Sequence, residues 1–146
     1  MIFRYTSKKG VYLKISKLTK NILITSTFFM AFTISIGAFA AHGLKAYIDP
    51  YMMKTFHTGV NYQFYNTLGL FAIAFVSYLI PNSKKIKISF IFILLGTLIF
   101  SFSLYALVIL NMPILGAITP IGGTFMIIGW LILTYTLIKD LNIESN

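Results

Sequence analysis

The hydrophobic residues of this chain form four long runs, at residues 22–42, 60–80, 88–110 and 117–138. Each run has about 20 residues, the length at which an α-helix crosses the hydrocarbon core of a bilayer. Turn-forming residues separate the later runs, as Pro81-Asn82-Ser83 and Asn111-Met112-Pro113. The pattern predicts an all-α protein, an up-and-down bundle of four transmembrane helices.

The composition indicates that lipid surrounds most of the chain. Of the 146 residues, 58% are hydrophobic and 10% are charged. Residues 88–138 contain no Asp, Glu, Lys or Arg. A water-soluble bundle needs a polar face on every helix, and 12 basic and 3 acidic residues cannot supply four such faces.

The basic residues predict the orientation. Residues 1–20 carry Arg4 and several lysines, and the loop after the second run carries Lys84, Lys85 and Lys87. Because basic segments stay on the cytoplasmic side of a membrane, both termini are expected there. The predicted organisation is a basic arm at 1–20, a membrane domain at 21–139 and a tail at 140–146. Basic residues placed in this way indicate membrane orientation and no nucleic-acid partner.

Local signals predict where two helices begin and end. Gly43 is a plausible C-terminal cap for the first helix. Asp49 followed by Pro50 predicts a helix start, with Asp49 as the N-cap. We expect this start to produce a short amphipathic helix that leads into the second run, with a bend at Gly59.

The segment Ala38-Phe39-Ala40 raises an alternative for the first run, because a basic arm, an apolar run and Ala-x-Ala also describe a signal peptide. The apolar run is about 20 residues long, whereas a signal core has about 7 to 15. We therefore expect the first helix to be retained.

Polar residues within the runs gather near the outer end of the predicted bundle. They are His42, Gln63, Asn66, Ser103, Tyr105 and Thr119. Four small residues lie in the same part of the runs, and we expect them to allow close packing of helices: Gly37, Ala41, Gly122 and Gly123. Two interpretations stay open, hydrogen bonds between helices or a small outward-facing cavity that binds a polar molecule or ion.

Other chemistry has weaker support. His42, His57 and Asp49 are a sparse ligand set for a metal, and His42 alone would be a pH-sensitive group. Ser103 with His42 is the one candidate pair for nucleophilic catalysis, without a Gly-x-Ser-x-Gly elbow or an acidic orienting residue. The chain has no cysteine, which excludes disulfides and thiolate catalysis. We expect no enzymatic activity, no metal and no cofactor.

Four ordered motifs are familiar: GAFAAHGLK, VNYQFYNTLGL, GTLIFSFSLYAL and LGAITPIGGTFMIIGW, which begin at residues 37, 60, 96 and 115. Together they resemble the bacterial membrane proteins of the domain of unknown function 423 family. The resemblance implies a multi-pass inner-membrane protein without an assigned activity, and it favours retention of the first helix. Where the family commonly has His, this chain has Asn66, which argues against a mechanism that needs two facing imidazoles.

The functional hypothesis is a non-enzymatic membrane protein whose polar cluster packs the bundle and is a candidate site for a small ligand. The alternatives are a small transporter or channel component, or an accessory subunit that stabilises the envelope or another membrane protein. The expected partners are the lipid bilayer and a second copy or another membrane protein.

Overall fold

The structure is a computed structural model that describes residues 5–7, 10–12 and 14–141. Its elements are β1 (Tyr5–Ser7), β2 (Gly10–Tyr12), α1 (Lys17–Phe39), a π-helical turn (Ala40–Leu44), α2 (Pro50–Leu79), α3 (Lys84–Ile109), a 3₁₀ turn (Pro113–Ala117) and α4 (Thr119–Asp140). The two short strands pair antiparallel, with Thr6 opposite Val11. The hydrophobic pattern does not predict this hairpin in the basic arm.

The described residues form four long helices, so the all-α prediction for the hydrophobic part of the chain is confirmed. Within the described part of the chain, three segments are long and apolar enough to cross a membrane: Lys17–Leu44, Lys84–Ile109 and Pro113–Asp140. The second long helix, α2, is not among these segments, and its sequence includes the polar residues Asn61, Gln63 and Asn66. By composition alone, three of the four predicted spans are found.

Helix starts and breaks follow local chemistry. The Asp49 carboxylate accepts from the backbone N–H groups of Tyr51 and Met52 at 2.8 and 3.0 Å, which confirms the predicted start of α2. Asn82 and Asn111 have φ angles of 61° and 51°, left-handed values that asparagine tolerates at a turn. The breaks predicted on either side of α3 are therefore confirmed.

Two local predictions are wrong. Gly43 does not cap α1, because the chain continues through it in the π-helical turn, where the Lys45 N–H donates to the Ala40 carbonyl five residues back. The expected short helix before the second run is not separate, since α2 is continuous from Pro50 to Leu79 and has no break at Gly59. Gly59 instead allows the close approach of a tyrosine on α3, described below.

Consecutive helices are antiparallel neighbours, and α2 and α3 form the centre of the bundle. The helix α1 packs mainly on α2, and α4 packs mainly on α3. The start of α3 meets the end of α4 through an ion pair between Lys85 and Asp140, with nitrogen and oxygen 2.8 Å apart. The start of α1 meets the end of α2 through the hydroxyls of Thr19 and Ser77, 2.9 Å apart.

The α3–α4 contact is the closest in the bundle. A Cβ atom on Gly96 would lie 2.7 Å from the Gly122 carbonyl oxygen, and one on Gly129 would lie 3.0 Å from the Ile93 nitrogen. At such distances the two backbones touch, which only glycine permits. The shared glycine face sets the separation of α3 and α4.

Candidate functional site

Five of the six residues of the predicted polar cluster take part in three separate hydrogen-bonded pairs. The Tyr105 hydroxyl donates to Gln63 Oε1 at 2.8 Å and joins α3 to α2. The indole N–H of Trp130 donates to Asn66 Oδ1 at 3.2 Å and joins α4 to α2. The Ser103 and Thr119 hydroxyls lie 2.7 Å apart and join α3 to the first residue of α4. Each pair links two different helices.

The Gln63–Tyr105 pair lies deep in the bundle. Gln63 is 0% exposed and Tyr105 is 5% exposed. The Phe56 ring packs on the Tyr105 ring with centroids 4.7 Å apart. Gly59 lies one turn before Gln63, and a Cβ atom there would be 2.7 Å from the Tyr105 ring. The glycine therefore makes room for the tyrosine that bonds to Gln63.

Two polar atoms near this pair have no hydrogen-bond partner among the residues that the structure describes. They are Gln63 Nε2 and Ser101 Oγ. A buried donor or acceptor without a partner costs about 1–3 kcal/mol. The pair therefore includes a destabilising group as well as a stabilising hydrogen bond.

Both the nitrogen and the oxygen of the Asn66 side-chain amide have hydrogen-bond partners. Its Nδ2 group donates to the Tyr62 carbonyl at 2.8 Å and to the thioether sulfur of Met126 at 3.0 Å. Its Oδ1 atom accepts from Trp130. Because sulfur is a weak acceptor, the bond to Met126 is the weakest of the three.

A cleft of about 410 Å³ lies beside Asn66, and we call it the α2–α4 cleft. It is lined by Tyr62, Tyr65, Asn66, Phe100, Gly123, Met126, Ile127 and Trp130. The resemblance motifs contain Met126 and Trp130, but the predicted cluster did not include them. The signal that could have found Trp130 is its uniqueness, since it is the only tryptophan in the chain.

His42 and Ala41 lie outside these contacts, because both are exposed in the π-helical turn. In this turn the buried alanine is Ala40, at 0% exposure, which packs with Phe56 and Tyr105. A π-helical turn changes the angular position of the residues that follow. The expected close packing at Ala41 is therefore found at Ala40, and His42 does not join the cluster.

The three predicted close-packing glycines differ. A Cβ atom on Gly122 would lie 2.5 Å from the Phe100 nitrogen, so this position is closely packed. A Cβ atom on Gly123 or Gly37 would make ordinary contacts, at 3.9 Å from the Phe100 ring and 3.6 Å from Val60. The most crowded positions that the prediction missed are Gly59, Gly69, Gly96 and Gly129.

The weaker candidates have no supporting geometry. The Ser103 hydroxyl bonds to the Phe100 carbonyl and to Thr119, and no imidazole is among these partners. Among the described residues, no group of three or more His, Cys, Asp or Glu could hold a metal ion. Asp49 is used as the N-cap of α2.

Comparison with known proteins gives a family model described as a protein of unknown function, DUF423, which matches residues 36–123. The chain belongs to this family. Its relatives include the UPF0382 membrane protein YwdK of Bacillus subtilis, 38% identical over 74% of this chain and 88% of the relative. A UPF0382 membrane protein of Haemophilus influenzae is 38% identical over 75% of this chain and 86% of the relative. The UPF0382 inner membrane protein YgdD of Escherichia coli is 31% identical over 73% of this chain and 86% of the relative.

No solved structure matches the chain. The part that matches the DUF423 model extends from the end of α1 to the first turns of α4. It includes Gln63, Asn66, Ser103, Tyr105 and Thr119, so all three hydrogen-bonded pairs have at least one member in the family segment. The names of the relatives and the three apolar segments together show that this DUF423 protein is a membrane protein.

Proposed function

We propose that this DUF423 protein is a non-enzymatic, four-span protein of the bacterial plasma membrane. In this proposal the buried polar pairs hold the helices in one arrangement, and the α2–α4 cleft binds a small ligand. The observation that carries the proposal is the placement of Gln63 and Asn66. Both carboxamides are buried, at 0% and 7% exposure, and both bond to side chains of other helices.

This placement supports α2 as the fourth span. Lipid would not meet the amides of Gln63 and Asn66, so the sequence hydropathy underestimates how well α2 tolerates hydrocarbon. Between residue 64 and the end of α2, the side chains on the outer surface of the bundle include Phe64, Leu68 and Phe75, which are all apolar. At 30 residues, α2 is about 45 Å long, which exceeds a bilayer core of about 30 Å.

Retention of α1 and cytoplasmic termini also belong to the proposal. Ala40 lies in the core against Phe56 and Tyr105, and cleavage after it would remove α1 from its packing on α2. Lys84 and Lys85 lie at the same end of the bundle as the start of α1, which places the basic residues together. The Escherichia coli relative is named an inner membrane protein.

Single-cysteine labelling tests the proposed orientation of the bundle. The chain has no cysteine, so Lys84→Cys and Ile114→Cys would each introduce one thiol, at opposite ends of the bundle. A maleimide that cannot cross membranes should label Ile114→Cys in intact cells, because Ile114 is 72% exposed in the 3₁₀ turn. It should label Lys84→Cys only after the membrane is opened. Labelling of Lys84→Cys in intact cells would contradict the proposed orientation.

Two asparagines on α2 test the packing role. Asn66→Leu removes the bonds to Trp130 and Met126 and should destabilise the folded protein by about 1–3 kcal/mol. Asn61→Leu makes the same chemical change at an exposed position on α2 and should leave stability unchanged. The measurement is the thermal unfolding midpoint of each purified variant in detergent, followed by circular dichroism. Equal midpoints for the two variants would exclude a packing role for Asn66.

A further inference from the structure

We infer that the α2–α4 cleft takes a neutral, lipid-soluble ring compound that carries a hydrogen-bond acceptor, the chemistry of a quinone. This inference rests on the proposed ligand-binding role of the cleft and adds the class of ligand. The structure supplies four observations for it: the walls, the lack of charge, the donors and the position of the opening.

The walls are aromatic. Tyr62 and Tyr65 come from α2, Phe100 from α3 and Trp130 from α4. Tyr62 and Phe100 are in direct contact, with ring centroids 4.4 Å apart. Aromatic walls favour a planar ring, which can stack on them or meet their edges. A volume of about 410 Å³ lies within the usual range for small-molecule sites.

No residue that lines the cleft carries a charge. A charged ligand in an apolar, membrane-embedded site would lack a counter-ion, which is strongly unfavourable. The chemistry of the lining therefore selects neutral compounds.

Asn66 supplies the donor. One hydrogen of Nδ2 goes to the Tyr62 carbonyl and the other to the sulfur of Met126. A ligand carbonyl oxygen is a better acceptor than a thioether sulfur, so a ligand can replace Met126 with a net gain. The phenols of Tyr62 and Tyr65, 43% and 62% exposed, add hydroxyl groups to the same cleft.

A second groove provides the contrast. About 350 Å³ in volume, it lies between α1 and α3 and includes Phe39, Phe102 and Ala106. Tyr105 contributes to it, but its hydroxyl is bonded to Gln63. The α2–α4 cleft therefore differs from this α1–α3 groove, because it has a donor with a weak partner.

The cleft opens sideways between two helices. Contact between α2 and α4 is made by side chains, through the bond of Asn66 to Trp130 and the packing of Trp130 over Gly69. Tyr65 and Ile127 line the cleft and are each 62% exposed. In the proposed four-span arrangement this opening faces the bilayer, so the ligand would enter from the lipid.

Trp130 provides a direct test, because it lines the cleft and is the only tryptophan. The probe is 2-methyl-1,4-naphthoquinone, added to the full chain in lipid nanodiscs while tryptophan fluorescence is recorded. We expect saturable quenching. The same ring without carbonyls, 2-methylnaphthalene, should compete about tenfold more weakly, the factor that one hydrogen bond supplies.

Three variants make the test specific. Gly123→Leu should abolish saturation by filling the cleft, and its backbone has room for a Cβ atom. Asn66→Leu, if it folds, should lose the preference for the quinone. The matched control Ala106→Leu fills the α1–α3 groove and should leave quenching unchanged.

The outcomes separate the two proposals. Equal competition by 2-methylnaphthalene would overturn the carbonyl specificity and leave a ligand site standing. Quenching that rises linearly without saturation, and equally in Gly123→Leu, would overturn both the ligand site and its class. Neither result bears on the packing role, which depends on the stability measurements.

Discussion

Replacing Gly122 with alanine should destabilise the bundle by about 3 kcal/mol, the upper end of the range for overpacking a core. The new Cβ atom would lie 2.5 Å from the Phe100 nitrogen and 2.7 Å from the Gly96 carbonyl oxygen. Both neighbours are backbone atoms, so α3 and α4 must separate to admit it. The measurement is the thermal midpoint in detergent by circular dichroism, with the fraction of monodisperse protein as a second readout.

The neighbouring glycine is the matched control. A Cβ atom on Gly123 would meet only the Phe100 ring, at 3.9 Å. Because alanine is a better helix former than glycine by about 1 kcal/mol, Gly123→Ala should leave stability unchanged or raise it. If the two alanine variants unfold at the same temperature, the close α3–α4 contact described for Gly122 is wrong.

The second large effect is expected at the Gln63–Tyr105 pair. Tyr105→Phe removes the hydroxyl that bonds to Gln63 Oε1 and leaves a buried amide with neither end paired, since Nε2 has no partner among the described residues. The expected loss is about 1–3 kcal/mol. Adding Gln63→Leu to Tyr105→Phe removes the unpaired amide and should restore stability to the wild-type level or above.

The rescue distinguishes a polar pair from simple packing. A control for the loss of a phenol hydroxyl is Tyr65→Phe, which makes the same change at a side chain that is 62% exposed and should have no effect. Thermal midpoints of the three variants and wild type provide the comparison. A double variant less stable than Tyr105→Phe would show that Gln63 stabilises the fold through contacts other than this bond.

The polar residues Gln63 and Asn66 make the sequence of α2 less apolar than that of the other three long helices. The mean hydropathy of a helix is an average over all its residues. Polar side chains therefore lower it whether they face lipid or the interior of the bundle. In the bundle, Gln63 and Asn66 point at α3 and α4. This inward placement is why the proposal includes α2 as a span.

The helices and their breaks could be predicted because their causes are local. Long apolar runs produce α1, α3 and α4. The capping chemistry of Asp49 and Pro50 starts α2, and left-handed asparagines end α2 and α3. Gly43 shows the limit of this reasoning, because a glycine near a helix end also fits inside a π-helical turn.

The partners within the site could be predicted only in part. The sequence grouped the polar residues by their position along the helices, but the depth of a residue in a helix gives neither the rotation of that helix nor its neighbours. The pairing of Asn66 with Trp130, and the need for glycine at position 59, depend on how α2 rotates against α3 and α4. His42 was misplaced because one π-helical turn changes which residues face inward.

By itself, the amino-acid sequence determined that this chain forms long apolar helices with short breaks, because helix formation and the hydrophobicity of a run depend on neighbouring residues. Only the tertiary structure decided which polar atoms form hydrogen bonds, which glycines lie against the backbone of a neighbouring helix, and where a cleft lies beside the single tryptophan. Those features depend on contacts between residues far apart in the chain, such as Asn66 and Trp130. Small changes in helix rotation or separation would rearrange them without altering the hydrophobic pattern.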